Sequence, residues 1–475
     1  MRMLTRRRFL TAGIAASVIP LFARRSTAAA DEFRILTLKS GAARLLGPNQ
    51  PLTPIWGYDG QVPGPMLRVK RGEEVRVRVV NRLAQPTSVH WHGIRIENAM
   101  DGAAGLTQAP IAPGASFDYR FSVPDAGTYW YHPHFLASEQ LGRGLHGLLI
   151  VDEPEPVEVD RDVAIMVDDW RLDGSGRIHE SFGNLHDAAM AGRYGNVFTV
   201  NAMSDFELRV RTNERVRLRL VNVANARVMP VRIADHGAMV MAIDGQPAEP
   251  FALERARVVL SPGTRYDLFL DAGRAPGSSS EILVDVGDRE VPVARLVYEP
   301  GEPKRPTPLA APRPLPANPL PERMDFRNAL RVDVDLRGGM MGMMGPGMMG
   351  PGMMGPGMMG RGMMGMDGQV WTLAGRTSDG HSRAPLFSVK RGRTVMLNFP
   401  NQTAFPHAMH VHGHHFRHLD AHDDGWKPWW LDTVLVMPQR NERIAFVADN
   451  PGKWMLHCHM IEHQESGMAT WFEVT

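Results

Sequence analysis

An all-β chain of three β-sandwich domains is the fold class that this sequence predicts, on three observations. A pattern of 13 residues occurs three times: VKRGEEVRVRVVN over Val69–Asn81, VRTNERVRLRLVN over Val210–Asn222 and VKRGRTVMLNFPN over Val389–Asn401. Each copy sets a polar turn before an alternating run that ends in Asn, and self-similarity of this kind marks repeated structural units. Alternation punctuated by Gly, Pro and Asn argues antiparallel strands. Helical periodicity is scarce, with Glu180–Ala191 the stretch that reads as a short helix. The 475 residues suffice for three sandwiches of ordinary size.

Residues 1–30 read as a targeting segment. Thr5-Arg6-Arg7-Arg8-Phe9-Leu10 leads into an apolar run to Phe22, and Ala28-Ala29-Ala30 offers a small-residue cleavage site. Paired arginines before Phe-Leu point to the twin-arginine export machinery as a partner and to the periplasm as destination. The run is shorter than the ~20 residues of a bilayer span, so no stable membrane insertion is expected. Residues 31–155 form a first domain, 156–300 a second, 301–322 a proline-rich linker that should be extended and semi-rigid, and 323–475 a third with an insert at 339–368.

That insert carries Met340, Met341, Met343, Met344, Met348, Met349, Met353, Met354, Met358, Met359, Met363, Met364 and Met366 in Met-Met-Gly and Pro-Gly-Met-Met-Gly units. Glycine and proline at this density forbid a regular helix or a central strand. The flanks, Phe326–Leu336 and Gln369–Leu373, read as strands, so the tract is an excursion between them. Methionine usually fills cores, but a segment that builds no core has none to fill. Soft thioethers select Cu(I), which makes these side chains candidate Cu(I)-recruiting donors.

Hydrophobic content of 43% and charged content of 22% are ordinary for a globular chain. A formal charge of +2 gives no reason to expect nucleic acid, and arginines alternating along strands read as solvated faces. One cysteine permits no intrachain disulfide, so in an exported chain it is a reactive thiol or a metal ligand. Its setting, His457-Cys458-His459 with His463 and Met468 downstream, decides for the ligand. Copper favours a soft sulfur with two imidazoles and a weak axial methionine. On a strand, neighbours face opposite ways. Cys458 would then face one metal while His457 and His459 face another.

Four His-x-His pairs occur: His90/His92, His132/His134, His410/His412 and His457/His459. On strands each pair projects to one face. Two pairs lie in the first domain and two in the third, and eight imidazoles converging between them suit a cluster of three coppers. His407, Cys458, His463 and Met468 complete a mononuclear site. The second domain has Ala226-Arg227-Val228-Met229 after its repeat and reads as a metal-free spacer.

HWHG (His90–Gly93), WYHPH (Trp130–His134), HAMHVHGHHF (His407–Phe416) and HCHMIEHQESGM (His457–Met468) resemble the four signatures of the multicopper oxidases, the superfamily of laccases, ascorbate oxidase and periplasmic cuprous oxidases. The repeat extends the resemblance across all three domains. It implies three cupredoxin-like Greek-key β-sandwiches and four copper ions. Carried over by position, type 1 copper takes His407, Cys458, His463 and axial Met468; type 2 takes His90 and His410. One type 3 copper takes His92, His132 and His459, and its partner His134, His412 and His457. The implied activity is that of an oxidoreductase that couples four one-electron oxidations to the reduction of dioxygen to two waters. Electrons would enter at Cys458 and pass through its flanking histidines.

Asp101 lies nine residues after His92, where the family places a carboxylate near type 2 copper. It is expected to deliver protons; the other reading is a turn residue in Met100-Asp101-Gly102. Many bacterial relatives carry an acid directly after the last type 1 histidine. This chain has Gln464, which cannot titrate, so Glu462, Glu465 or water takes that part. His414 and Phe416 match the pattern beyond the ligands and are read as packing. His415, His418 and His422 sit beside the expected type 1 site, where they could hold a transient metal, but are read as exposed polar surface; His381 is left over, and His146, His186 and His236 carry no signature.

The first functional reading is a periplasmic cuprous oxidase in copper tolerance, with the methionine tract concentrating Cu(I). Cuprous oxidases of this superfamily place an Asp and a Met shortly before the first type 1 histidine, where this chain has Thr403 and Phe405. The second reading is a laccase-like oxidase of phenols or aromatic amines, with the tract as a lid. The third is a non-enzymatic copper-sequestering protein or a scaffold that keeps the fold without its coppers; the complete ligand set argues against the scaffold.

Overall fold

The three copies of the repeat end in the same structural device. In the computed structural model, Asn81 Nδ2 donates to the carbonyls of Ile111 (2.8 Å) and Gln85 (2.9 Å), and its Oδ1 accepts from Leu83 N (2.9 Å). Asn222 does the same with Leu260, Arg227 and Ala224, and Asn401 with Val436, Phe405 and Thr403. A short side-chain amide offers two N–H donors and a separate carbonyl acceptor, which is what this arrangement uses, and each of the three is buried. The strand before each asparagine (Glu74–Asn81, Arg215–Asn222, Thr394–Pro400) runs parallel to one neighbour, Arg34–Ala43, Arg161–Trp170 or Leu330–Asp333.

Residues 32–321, 323–339, 369–379, 384–420 and 422–475 are described. The targeting segment, the thirteen methionines of the insert and His381 lie outside them. Arg34–Thr475 forms one unit; of Met1–Phe33 only Glu32 and Phe33 are described, neither in regular structure. Among the described residues the main sheets come as three consecutive pairs: four and four strands within residues 34–152, six and five within 161–298, five and six within 330–474. Each pair encloses apolar side chains such as Val77, Leu218 and Leu397, none more than 1% exposed. No helix among the described residues is long and apolar enough to cross a membrane.

The short helix expected within Glu180–Ala191 is Leu185–Ala189, started by Asn184, whose side chain accepts from Asp187 N. Two more, Ala137–Gly142 and Ile461–Glu465, carry no sequence signal long enough to read. The flanks of the insert pair antiparallel, Leu336–Gly338 with Trp371–Leu373. Gly339 N donates to Val370 O, so the described residues on either side of the insert lie next to each other.

One expectation fails. The arginines of Arg215–Asn222 are not a solvated face: Arg215, Arg217 and Arg219 are each at most 2% exposed. They are paired, Arg217 with Asp267 (2.5 Å) and Glu153 (2.8 Å), Arg219 with Asp162 (2.6 Å), Arg215 with Asp271 (2.6 Å). A buried guanidinium is tolerable only with such partners. The face that carries them packs against the first sandwich, where Thr128 Oγ1 donates to Asp267 (2.6 Å) and accepts from Arg219 (2.8 Å).

Candidate metal centre

The strand His90–His92 lies antiparallel to Gly127–His132, with His90 opposite His132. In the third sandwich His407–Val411 lies against Gly452–Cys458, with His410 opposite His457. These registers bring all eight histidines of the four pairs to one buried place between the first and third sandwiches. His90 stacks on His412 (ring centroids 3.9 Å) and His92 on His410 (3.8 Å). Nε2 of His457 is 3.0 Å from Nε2 of His412 and 3.3 Å from that of His134; Nε2 of His132 and His459 are 3.4 Å apart.

The ring protons can be placed, because a carbonyl or carboxylate oxygen only accepts. Nδ1–H of His90 donates to Asp101 O (2.8 Å), of His132 to Pro133 O (3.0 Å), of His410 to Asp432 O (2.9 Å) and of His457 to Cys458 O (3.0 Å). His412 Nδ1–H donates to Asp101 Oδ2 (2.9 Å). The Nε2 lone pairs of these rings therefore face inward, and those of His90 and His410 meet no protein partner. His92 is turned the other way: Nε2–H faces Asp432 Oδ1 (3.3 Å) and Nδ1 is unpartnered. Burial first, then the crowding of neighbouring imidazoles, holds His132, His134, His412 and His457 well below the usual histidine range. Neutral rings are the form that binds metal.

Donor atoms lie within 4.8 Å of one another in His90/His92/His132, His90/His410/His412, His134/His412/His457 and His92/His410/Asp432. The pair expected at type 2, His90 and His410, is thus brought together, as is the triad His134, His412 and His457. His92, His132 and His459 meet through the contacts given above and a His92–His459 ring separation of 4.8 Å. Convergent lone pairs on buried, neutral imidazoles without protein partners fit metal ions; imidazole with thiolate suits copper.

The second set is equally buried. Cys458 Sγ lies 3.6 Å from His407 Nδ1 and 3.8 Å from His463 Nδ1, and these nitrogens are 3.2 Å apart. Outward, His407 Nε2–H donates to Thr403 Oγ1 (2.9 Å) and His463 Nε2–H to Met190 O (2.8 Å). Both Nδ1 lone pairs are left for a metal. Met468, fully buried, opens the strand Met468–Val474. Burial pushes the Cys458 thiol up to about 12, so the thiolate needs a cation beside it. Trp371 closes the outer side: its ring centroid is 4.4 Å from that of His463 and 5.1 Å from His407, and Nε1–H donates to Ala188 O (2.6 Å).

Asp101 is no simple turn residue. It is fully buried, with Oδ2 on His412 and an unpartnered Oδ1 3.4 Å from His90 Nδ1. Glu462 is held differently: it accepts from Ser138 Oγ (2.7 Å), Asn225 Nδ2 (2.8 Å) and Arg193 N (3.0 Å) and so joins all three sandwiches. Glu465 accepts from Ser138 N (3.0 Å), and burial chiefly, with the charge of Glu462, pushes its carboxyl up to about 7. Gln464 is buried with Oε1 unpartnered.

His414 packs against Phe446, Trp454 and Phe472, as expected. His418 pairs with Glu442 (2.6 Å) and His422 is exposed. His415 is a correction: it is 4% exposed, with Nε2 facing Asp244 O (3.2 Å) and Asp432 Oδ2 (3.7 Å), because its loop folds under the second sandwich. Sequence reasoning missed Asp432, Arg265, Asp244 and Trp371. Asp432 alone left a trace, an acid amid the apolar run Trp429–Val436.

Paired sandwiches with histidine clusters and a buried set of one cysteine and two histidines define a cupredoxin-like metalloprotein of the oxidase type. Multicopper oxidase family models match residues 43–156, 163–279 and 356–475. The chain is 31% identical over 452 residues to multicopper oxidase MmcO of Mycobacterium tuberculosis (strain ATCC 25618 / H37Rv), covering 88% of this chain and 83% of that protein. It is 27% identical over 469 residues to laccase-1 of Botryotinia fuckeliana, 88% and 78% covered. The crystal structure of a multi-copper oxidase from Pseudomonas thermotolerans superposes with a TM-score of 0.80 at 31% identity, over 94% of this chain and 99% of that one. The chain belongs to the multicopper oxidase family. It is an oxidoreductase of the laccase type that takes dioxygen as acceptor, which sets the scaffold reading aside.

Proposed function

We propose that this oxidase works in the periplasm on Cu(I), oxidising it to Cu(II) in copper tolerance. In this reading His407, Cys458, His463 and Met468 hold type 1 copper, His90 and His410 type 2, and His92, His132, His459 with His134, His412, His457 the type 3 pair. Four bound coppers would supply one-electron redox chemistry in the number that dioxygen needs to become two waters. The chain's own residues prepare for this. Thr403 and Met190 hold the outward protons of His407 and His463, which frees both Nδ1 atoms. Burial of Cys458 and the histidines excludes water. Asp101 Oδ2 holds the Nδ1 proton of His412 and is the carboxylate best placed to pass protons into the cluster. The paired arginines of residues 1–30 support export by the twin-arginine route.

One observation carries the choice of substrate: the mononuclear site is capped, and the residues that follow the methionine insert in sequence are anchored on the cap. Met190 O occupies the outer nitrogen of His463, so no phenol can bond there. Val370 N and Trp371 N, directly after the insert, both donate to Ser466 O, two residues before Met468. The described residues that follow the insert are thus fixed beside the site that would accept electrons, and soft donors in the same chain would raise the local Cu(I) concentration there.

A cavity of about 390 Å³ favours the second reading, a laccase-like oxidase of phenols or aromatic amines. It is lined by Met190, Tyr194, Phe405, Arg171 and Asp187, beside the cap, and is large enough for a small aromatic. Oxygen uptake with Cu(I) and with a phenol, with and without residues 340–366, separates the two. The cuprous reading expects the deletion to raise KM for Cu(I) about tenfold while phenol turnover holds or rises. Unchanged Cu(I) oxidation would refute it.

A further inference from the structure

The second sandwich carries no donor to the cluster, yet it presses directly on it. Its turn at Gly263 has φ +87°, and a Cβ there would stand 2.9 Å from His92 Cε1 and 3.1 Å from His459 Cδ2. Two residues on, Arg265 is fully buried and makes a bidentate pair with Asp432 of the third sandwich: Nη2 to Oδ2 2.7 Å, Nη1 to Oδ1 3.0 Å. Gly93, the last residue of the HWHG motif, makes room for that pair. A Cβ at Gly93 would lie 2.2 Å from Arg265 Nη2 and 2.6 Å from Asp432 Oδ2.

Asp432 is fixed from every side. Thr433 Oγ1 donates to its Oδ1 (2.8 Å), and its own backbone N–H donates to Asp244 Oδ2 (3.1 Å). Asp244 also accepts from Arg265 N (3.0 Å). What remains of Asp432 Oδ1 faces His92 Nε2 (3.3 Å) and His410 Nδ1 (3.5 Å). A carboxylate cannot donate, so His92 must carry its proton on Nε2, the reverse of its neighbours, and offer Nδ1 inward. Carboxylates behind metal-binding histidines set ring orientation and tautomer in this way.

We propose that Arg265 is a positioning residue for the cluster: through Asp432 it fixes the tautomer and orientation of His92 and the seat of His410, so that the donor-free second sandwich governs how tightly the first and third hold the metal. The inference rests on the copper ligation proposed above. Arg265 touches no substrate, and its effect is read on metal retention rather than on turnover alone.

The test uses the copper-loaded enzyme and three variants: Arg265→Gln, Arg265→Lys and the double substitution Arg265→Met with Asp432→Leu. The double variant removes both charges of the bidentate pair, and Asp244, 3.6 Å from Arg265 Nη1, keeps its backbone N–H donors, so it can fold where Arg265→Gln fails. Copper per chain after dialysis against a chelator and the paramagnetic resonance of the type 2 ion report the cluster. The blue absorption of the Cys458 site is the internal standard. Arg265→Gln and the double variant should lose cluster copper 10- to 100-fold more readily, with an altered resonance and intact blue absorption, and Arg265→Lys should recover part of the loss. A double variant that keeps its cluster copper and spectrum would overturn the proposal. A wild-type enzyme without cluster copper would instead overturn the ligation on which it stands.

Discussion

Glu462 separates a proton relay from a structural joint. In Glu462→Gln the amide oxygen can keep the two donors now on Oε1, Ser138 Oγ and Asn225 Nδ2. The new amide nitrogen then faces Arg193 N–H, donor against donor. An unsatisfied buried N–H costs about 1–3 kcal/mol, and the two remaining bonds each lose about 1 kcal/mol of charge assistance. Part of this is offset because a neutral amide is cheaper to bury than a carboxylate. A net loss of about 3 kcal/mol remains, which lowers Tm by roughly 3 °C in a chain of this size. Circular dichroism melts of the copper-loaded enzyme measure the loss, and oxygen uptake at 25 °C across pH measures turnover. A joint between sandwiches predicts the lower Tm with kcat within about twofold and an unchanged pH profile. Wild-type Tm with collapsed kcat would refute the reasoning and return Glu462 to the proton path.

Two further outcomes follow from single groups. Thr403→Val removes the acceptor for His407 Nε2–H and should weaken copper at the Cys458 site about tenfold in chelator competition, with a shifted blue band; unchanged retention would show that the hydroxyl does not orient the ring. His146 has both ring nitrogens buried without a hydrogen bond, Asp168 Oδ2 standing 3.8 Å from Nε2, and burial lowers it to about 3 against about 6.5 when unfolded. It is neutral in the fold, so unfolding takes up a proton below pH 6.5, and stability present above that pH falls by about 2 kcal/mol between pH 7 and 5. Urea midpoints should show this extra loss in wild type relative to His146→Met; equal pH slopes would exclude it.

Much of the site was legible because its chemistry is local. His90-x-His92 lies on a strand, which fixes which way its rings point, and in the other three pairs the first histidine lies on a strand and the second just beyond its end, so each pair still reaches the cluster. The three sandwiches were legible because the repeat is long and ends in an asparagine with one job. What stayed hidden depends on partners far away in sequence. Arg217 and Arg219 alternate as a solvated face would, and only the packing of the first sandwich on that face buries them. His415 looked exposed likewise, and only the packing of its loop under the second sandwich buries it. Arg265 and Asp432 stand 167 residues apart, and nothing in either segment names the other. Trp371 follows an insert that has no folded pattern, so its place over His463 had no sequence sign.

The repeat also explains why the cluster sits between the first and third sandwiches and spares the second. His90 and His92 stand nine and eleven residues after Asn81, and His410 and His412 stand nine and eleven after Asn401. At those offsets from Asn222 the second sandwich has Val231 and Ile233. Both are buried in the strand Met229–Ile233, with Val231 opposite Val284 as His90 is opposite His132 and His410 opposite His457. The strand position is the same in all three, but only two copies carry imidazoles. The two then interlock: His90 stacks on His412 and His92 on His410, while Asp101 of the first sandwich holds His412 and Asp432 of the third holds His92. Each sandwich thus supplies half of the rings and the carboxylate that orients a ring of the other half. Neither can form the cluster alone, and the second, with apolar side chains where theirs are histidines, contributes the guanidinium that holds one of those carboxylates in place.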